Sequence, residues 1–323
     1  MAQPASKKPK LDLSQNKANV MLQKAAEGKY GIAGVCVVSV SIPSPDSNRA
    51  PPVAASSPKS PSPIKPLYNL EGILATVRAA TAKRSPAMIL LFPWAQSYSS
   101  TLLAQAAATA ARSAPVPITL HLDHAQSPEA IHTAADTGFY DSIMVDMSHY
   151  DKAENLAKTK ELVAYCHEKG IVCEAEPGRI QGGEDGVADT AALEAIMTTP
   201  EEAKEFVDTG IDWLAPAFGN VHGSYGARGI QLEYERLHAV NEAVGKEVRM
   251  VLHGTDGFDE GIYGKCIEGG ITKVNINGVL NKRYLKVQKE GGLGVSETIE
   301  RGTNAMQEAI EECMDMLGSS GMA

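Results

Sequence analysis

The sequence predicts an α/β fold, a (β/α)8 barrel of the TIM type, on three observations. Short apolar runs rich in Val, Ile and Leu alternate with helical stretches eight times from Asn19 onward, as buried parallel strands joined by crossover helices do. A chain of 323 residues suits one barrel of ~250 residues with extensions. The polar clusters fall just past the apolar runs, which places them on one rim if the strands close a barrel. Eight units favour closure over an open doubly wound sheet.

The strands are expected at residues 31–40, 87–92, 118–123, 142–146, 171–176, 213–217, 249–253 and 271–275. Between them, residues 99–113, 152–169, 201–209 and 231–244 read as helices. Ser127-Pro128 and Thr199-Pro200 each pair a capping side chain with a Pro in the first turn, a helix-start signal. Gly138, Gly170, Gly210 and the Gly269-Gly270 pair stop helices before the next strand. Residues 297–317 read as one further amphipathic helix with Met306, Ile310, Met314 and Leu317 on one face, a face for core or dimer packing. The domain is therefore expected over 19–317, with a disordered tail at 1–18 and a flexible one at 318–323. Residues 41–66 are crowded with Pro and Ser; such composition cannot bury enough surface to order itself, so they are read as a disordered insertion.

Composition excludes several classes. At 43% hydrophobic and 21% charged residues with a formal net charge of −9, the chain lacks the basic stripes of a nucleic-acid binder. No apolar run approaches the ~20 residues of a membrane span, and no secretory leader precedes the domain. The five cysteines are scattered without a C-x-x-C, which argues against a disulfide framework or thiolate zinc and suits the cytoplasm. The basic run Lys7-Lys8-Pro9-Lys10 reads as a solvated tail.

The chemistry concentrates in three histidines. His124, His222 and His253 each lie just past an apolar run, and His222 and His253 are followed directly by Gly223 and Gly254. Small residues there let a ligand approach the backbone. Three neutral imidazoles with an open position make a catalytic zinc site, and Asp123 beside the first supplies a proton carrier, so the pattern points to a metal-dependent lyase. The same rim receives Asp146 and Ser148, Glu174 and Glu176, the Gly-rich stretch with Glu184 and Asp185, and Asn275 and Asn277. His132, His167 and His238 lie in helical stretches and read as structural, and His121 as core or support.

Five motifs in order, His121-Leu-Asp-His124, the stretch from Glu174 to Gly186, Gly219-Asn-Val-His-Gly223, Leu252-His-Gly254 and Lys273-Val-Asn-Ile-Asn277, resemble the class II fructose-bisphosphate aldolases. The resemblance is closest to the branch with tagatose-bisphosphate aldolase. It implies a zinc-dependent barrel, homodimeric or homotetrameric, that reversibly cleaves a ketose bisphosphate into dihydroxyacetone phosphate and an aldehyde, with a monovalent cation as a further cofactor. By the same resemblance His124, His222 and His253 hold zinc, with Glu174, Glu176 and Asp146 in support. Asp123 takes the C4 hydroxyl proton, Glu184 or Asp185 moves the C3 proton, and Asn275 contacts the enediolate. Gly223, Gly254 and Asn277 complete the substrate contacts.

Departures from the family pattern bear on the substrate. Where the family holds the triose phosphate with a Ser and a Thr or Ser, this chain has Asp256 and Gly278, and a carboxylate there repels a dianion. The position of an Arg for the distal phosphate is Asn281, with Lys282 and Arg283 adjacent. Three other readings therefore stand beside the bisphosphate aldolase. They are an aldolase for a less phosphorylated ketose, a Schiff-base aldolase using Lys273, and a zinc-binding barrel with a regulatory rather than catalytic role.

Overall fold

The computed structural model describes residues 12–37, 69–182 and 196–323. In chain order the elements are α1 (Lys17–Gly28), β1 (Ile32–Cys36), α2 (Leu70–Lys83), β2 (Ala87–Leu91), α3 (Pro93–Ser99) and α4 (Leu102–Ser113). They continue with β3 (Ile118–Ala125), α5 (Pro128–Thr137), β4 (Ser142–Val145), α6 (Lys152–His167), β5 (Val172–Ala175), β6 (Gln181–Gly182) and α7 (Pro200–Val207). Next come β7 (Trp213–Leu214), β8 (Val221–His222), α8 (Tyr234–Val244), β9 (Arg249–Leu252), α9 (Glu260–Glu268), β10 (Ile271–Ile276), α10 (Gly278–Glu290) and α11 (Val295–Met316).

Among the described residues, eight parallel strands close a barrel in the order β1, β2, β3, β4, β5, β7, β9, β10 and back to β1. Their side chains are buried on both faces, which is why these strands read as continuous apolar runs. The chain starts its helices where the sequence signals them. Ser127 Oγ accepts from Ala130 N ahead of α5, and Thr199 and Glu202 form a reciprocal cap at α7. The apolar face of α11 buries Met306, Ile310 and Met314, in contact with α2 and α10, so it serves the core. No helix among the described residues is long and apolar enough to cross a membrane.

Several boundaries differ from expectation. The helix expected over 99–113 is α4, starting at Leu102, with the separate α3 ahead of it at Pro93–Ser99, and the sixth barrel strand is only Trp213–Leu214. The expected N-terminal tail ends earlier than residue 18, because Asn16 caps α1 and its amide donates to the carbonyls of Asp141 (3.0 Å) and Gly170 (2.9 Å). The C-terminal residues 318–323 are tied down rather than flexible. Ser319 is buried against Ser85 with the hydroxyls 2.8 Å apart, and Gly321 N and Ala323 N donate to the Lys83 and Arg84 carbonyls. The first 11 residues, the insertion 41–66, Glu184 and Asp185 lie outside the described residues.

Candidate active site

Strand β3 brings two neighbouring residues to one place. Side chains alternate along a strand, so Asp123 and His124 should face opposite ways. The register between β3 and β4 slips by one residue between Leu122 and Ala125, and His124 sits at φ +46°. A bulge of this kind bends the strand and re-aims its side chains. Both residues are buried, and both belong to the clusters at the strand ends.

The three predicted ligands converge. The ring centre of His124 is 5.0 Å from that of His222 and 4.8 Å from that of His253, and those of His222 and His253 are 5.6 Å apart. One ligand atom from each imidazole and one from the Glu176 carboxylate all lie within 4.8 Å of one another. Two of the rings are oriented from behind. His124 Nδ1 is 2.9 Å from Asp146 Oδ2, and His253 Nε2 is 2.8 Å from Glu174 Oε1. The nitrogens that remain, His124 Nε2 and His253 Nδ1, sit 3.0 Å apart. Carboxylates behind metal-binding imidazoles fix ring orientation and raise ligand basicity. Asp146 is itself braced by Ser148, whose hydroxyl donates at 2.7 Å.

The electrostatics favour a cation at this point. Burial opposes protonation of His124, but Asp123, Asp146 and Glu176 outweigh it and push its pKa up to about 10. Burial, reinforced by Asp146, raises the Glu176 carboxyl well above its usual range. Burial likewise lowers the pKa of His253 despite Glu174. Crowded carboxylates around three imidazoles thus call for positive charge, which a divalent metal would supply. The donor set fits a catalytic metal, with three nitrogens and one adjacent carboxylate.

A charged layer lies in the barrel interior beside the histidines. Lys273 Nζ donates to Glu174 Oε2 at 2.7 Å, with both side chains fully buried. Burial works against the Glu174 charge, yet Lys273, His253 and His121 lower its pKa to about 2. Asp123 accepts from Asn275 Nδ2 at 2.8 Å. Despite burial, His124, Lys273 and His121 hold its carboxyl well below the usual range. Asp123 Oδ1 lies 3.4 Å from His121 Nε2 and 3.9 Å from Lys273 Nζ, and Asn275 Oδ1 is buried with no hydrogen-bond partner among the described residues. Asp123 is therefore ionised, the state a base needs before it accepts a proton.

The structure speaks against Lys273 as a Schiff-base nucleophile, because its Nζ is engaged 2.7 Å from Glu174 with both side chains fully buried. Gly223 ends the short β8 with open space over its Cα, whereas Gly254 lies against the backbone of β8. Asn277 caps α10 and accepts from the Asn281 amide. Asn281 is buried, and Arg283 pairs with Glu312 of α11, so neither is placed to hold a distal phosphate. The last described residues before Glu184, Gln181–Gly182, pair with Val221–His222 and so lie against one of the three clustered histidines.

Two residues escaped the sequence reading. Asn220 donates to the His253 carbonyl at 3.1 Å, and Tyr225 OH donates to the Gly254 carbonyl at 2.7 Å, so both brace the ligand strands. Asn220 stands inside the Gly-Asn-Val-His motif and could have been found there; Tyr225 carries no such signal. The structural reading of His167 fits its pairing with Asp212 at 2.9 Å.

Known proteins resemble this chain in sequence and fold. The sequence profile described as fructose-bisphosphate aldolase class II matches residues 62–322. A Coccidioides immitis (strain RS) protein provisionally named fructose-bisphosphate aldolase is 59% identical over 292 residues, covering 87% of this chain and 97% of its own. The fructose-bisphosphate aldolase of Streptococcus pyogenes serotype M3 is 34% identical over 274 residues, covering 79% and 91%. Among solved structures, a provisionally assigned fructose-1,6-bisphosphate aldolase from C. immitis superposes with a TM-score of 0.85 at 54% identity, covering 96% of this chain and 98% of that one. The YdjI aldolase of Escherichia coli K12 gives a TM-score of 0.75 at 29% identity, covering 94% and 97%. With the profile matched over most of its length and the histidine cluster at the strand ends, this chain belongs to the class II fructose-bisphosphate aldolase family of lyases.

Proposed function

We propose that the protein is a zinc-dependent aldolase that reversibly cleaves a ketose between C3 and C4, releasing a three-carbon ketone and an aldehyde. The observation that carries this reading is the convergence of His124, His222 and His253 beside the ionised Asp123. Three imidazoles favour zinc among the divalent metals. When bound, zinc supplies a Lewis acid that polarises the ketone oxygen.

The chain's own residues handle the protons. Asp123 takes the proton of the C4 hydroxyl as the C3–C4 bond breaks and its electron pair moves toward C3 and the ketone. The Asn275 amide donates to Asp123 Oδ2 and holds the carboxylate in position for that proton. Glu184 or Asp185 is assigned the proton delivered to C3. Relatives are named as fructose-bisphosphate aldolases, which makes fructose 1,6-bisphosphate one candidate substrate and tagatose 1,6-bisphosphate its stereochemical alternative. Asp256, close enough to Gly278 to fill the place of its side chain, favours a second reading, an aldolase for a less phosphorylated ketose.

The test is aldol cleavage by zinc-loaded protein, followed by coupled detection of the three-carbon product and repeated after chelation. Activity that disappears with the chelator and returns with zinc is expected. Turnover indifferent to chelation, or none on any ketose by a protein holding stoichiometric zinc, would sink the reading.

A further inference from the structure

Three residues past His253 and Asn275 the chain reaches Asp256, in the loop after β9, and Gly278. Gly278 opens α10, a helix of 13 residues. A Cβ on Gly278 would lie 2.1 Å from Asp256 Oδ1 and 2.5 Å from Oδ2. The Asp256 carboxylate therefore fills the volume that any side chain at position 278 would need. Lys282, one turn along α10, is 3.3 Å from Asp256 Oδ2.

A helix N-terminus attracts anions through its unpaired amides and its dipole. Here the protein itself supplies the anion, and Lys282 is paired with that same carboxylate. A substrate phosphate arriving at this end would meet like charge in place of a vacant positive field. The carboxylates at this rim, Asp256 and Asp123, accept hydrogen bonds, and a ketose hydroxyl can donate one where a phosphate dianion cannot.

We propose that Asp256 is a specificity-determining residue. It stands in for a substrate phosphate between β9 and β10 and selects a ketose whose ketone-side terminus is a free hydroxyl. This rests on the aldolase reading above, since it is the seat of the ketone on the metal-site histidines that brings this terminus to Asp256.

The test uses the zinc-loaded full chain and two donor probes, dihydroxyacetone and dihydroxyacetone phosphate. NMR follows exchange of one hydroxymethyl proton of each donor for a solvent deuteron, and calorimetry follows binding of inorganic phosphate. Asp256→Ser is compared with Asp256→Asn, which removes the charge with little change of shape. The wild type should exchange dihydroxyacetone at least ~10-fold faster than the phosphate ester, and both variants should bind inorganic phosphate at least ~10-fold more tightly than wild type. Faster exchange of the phosphate ester by the wild type, or no gain in phosphate binding by either folded variant, overturns the inference. Exchange of neither donor by the wild type defeats the aldolase reading itself, which the calorimetry distinguishes by reporting on the anion site alone.

Discussion

Replacing Lys273 by Met isolates the energetics of the charged layer inside the barrel. Lys273 and Glu174 are both fully buried and 2.7 Å apart. At that separation and an effective dielectric of about 20, their attraction is ~6 kcal/mol. Met returns part of this through apolar burial, and His121 and His253 still face the stranded carboxylate. Breaking one side of a buried pair costs about 3–5 kcal/mol, which for a domain of this size lowers Tm by roughly 6–20 °C. The double variant Glu174→Gln/Lys273→Met removes both members of the pair, leaves Asp123 to His124 and His121, and should recover more than half of that loss. The assay is thermal and urea unfolding of wild type, both single variants and the double variant at neutral pH. A Lys273→Met cost below ~1 kcal/mol, or a double variant no more stable than Lys273→Met, refutes the reasoning. The sign with pH follows from Glu174. Its folded-state pKa of about 2 lies below its ordinary 4.5, so its contribution is present above pH ~4.5 and is lost as pH falls toward ~2.

Two further outcomes follow from the same site. Asp123→Asn should lower kcat by roughly 10²–10⁴-fold, because an amide cannot accept the proton, while zinc content by atomic absorption stays at one per chain; an active variant would remove Asp123 from the proton path. Gly254→Ala should cost at least ~1–3 kcal/mol and weaken zinc binding. Position 254 has φ +69°, and an added Cβ would lie 2.5 Å from the Val221 carbonyl in the strand that carries His222. Unchanged unfolding and zinc titration would show that β8 is not held by this contact.

Much of the fold was legible because its signals are local. Buried parallel strands advertise themselves as apolar runs, and the caps Ser127 and Thr199 and the apolar face of α11 depend on residues within a few positions of one another. The three histidines were legible for a related reason. His124 and His253 lie where barrel strands run into their loops, which a closed barrel brings to one rim, and His222 follows β7 in the short β8 of the same connection. What stayed hidden were pairings between distant backbones. Alternation along β3 sends Asp123 and His124 to opposite sides; only the slip of β3 against β4 turns both into the site. The pairing of Lys273 with Glu174 made a charge partner of a residue that composition could equally read as a nucleophile. Asp256 and Gly278 were visible as departures from a pattern, without a relation between them. It took the meeting of the β9 and β10 ends to lay that carboxylate over that glycine, because which atoms fill one small volume is a property of packing between strands.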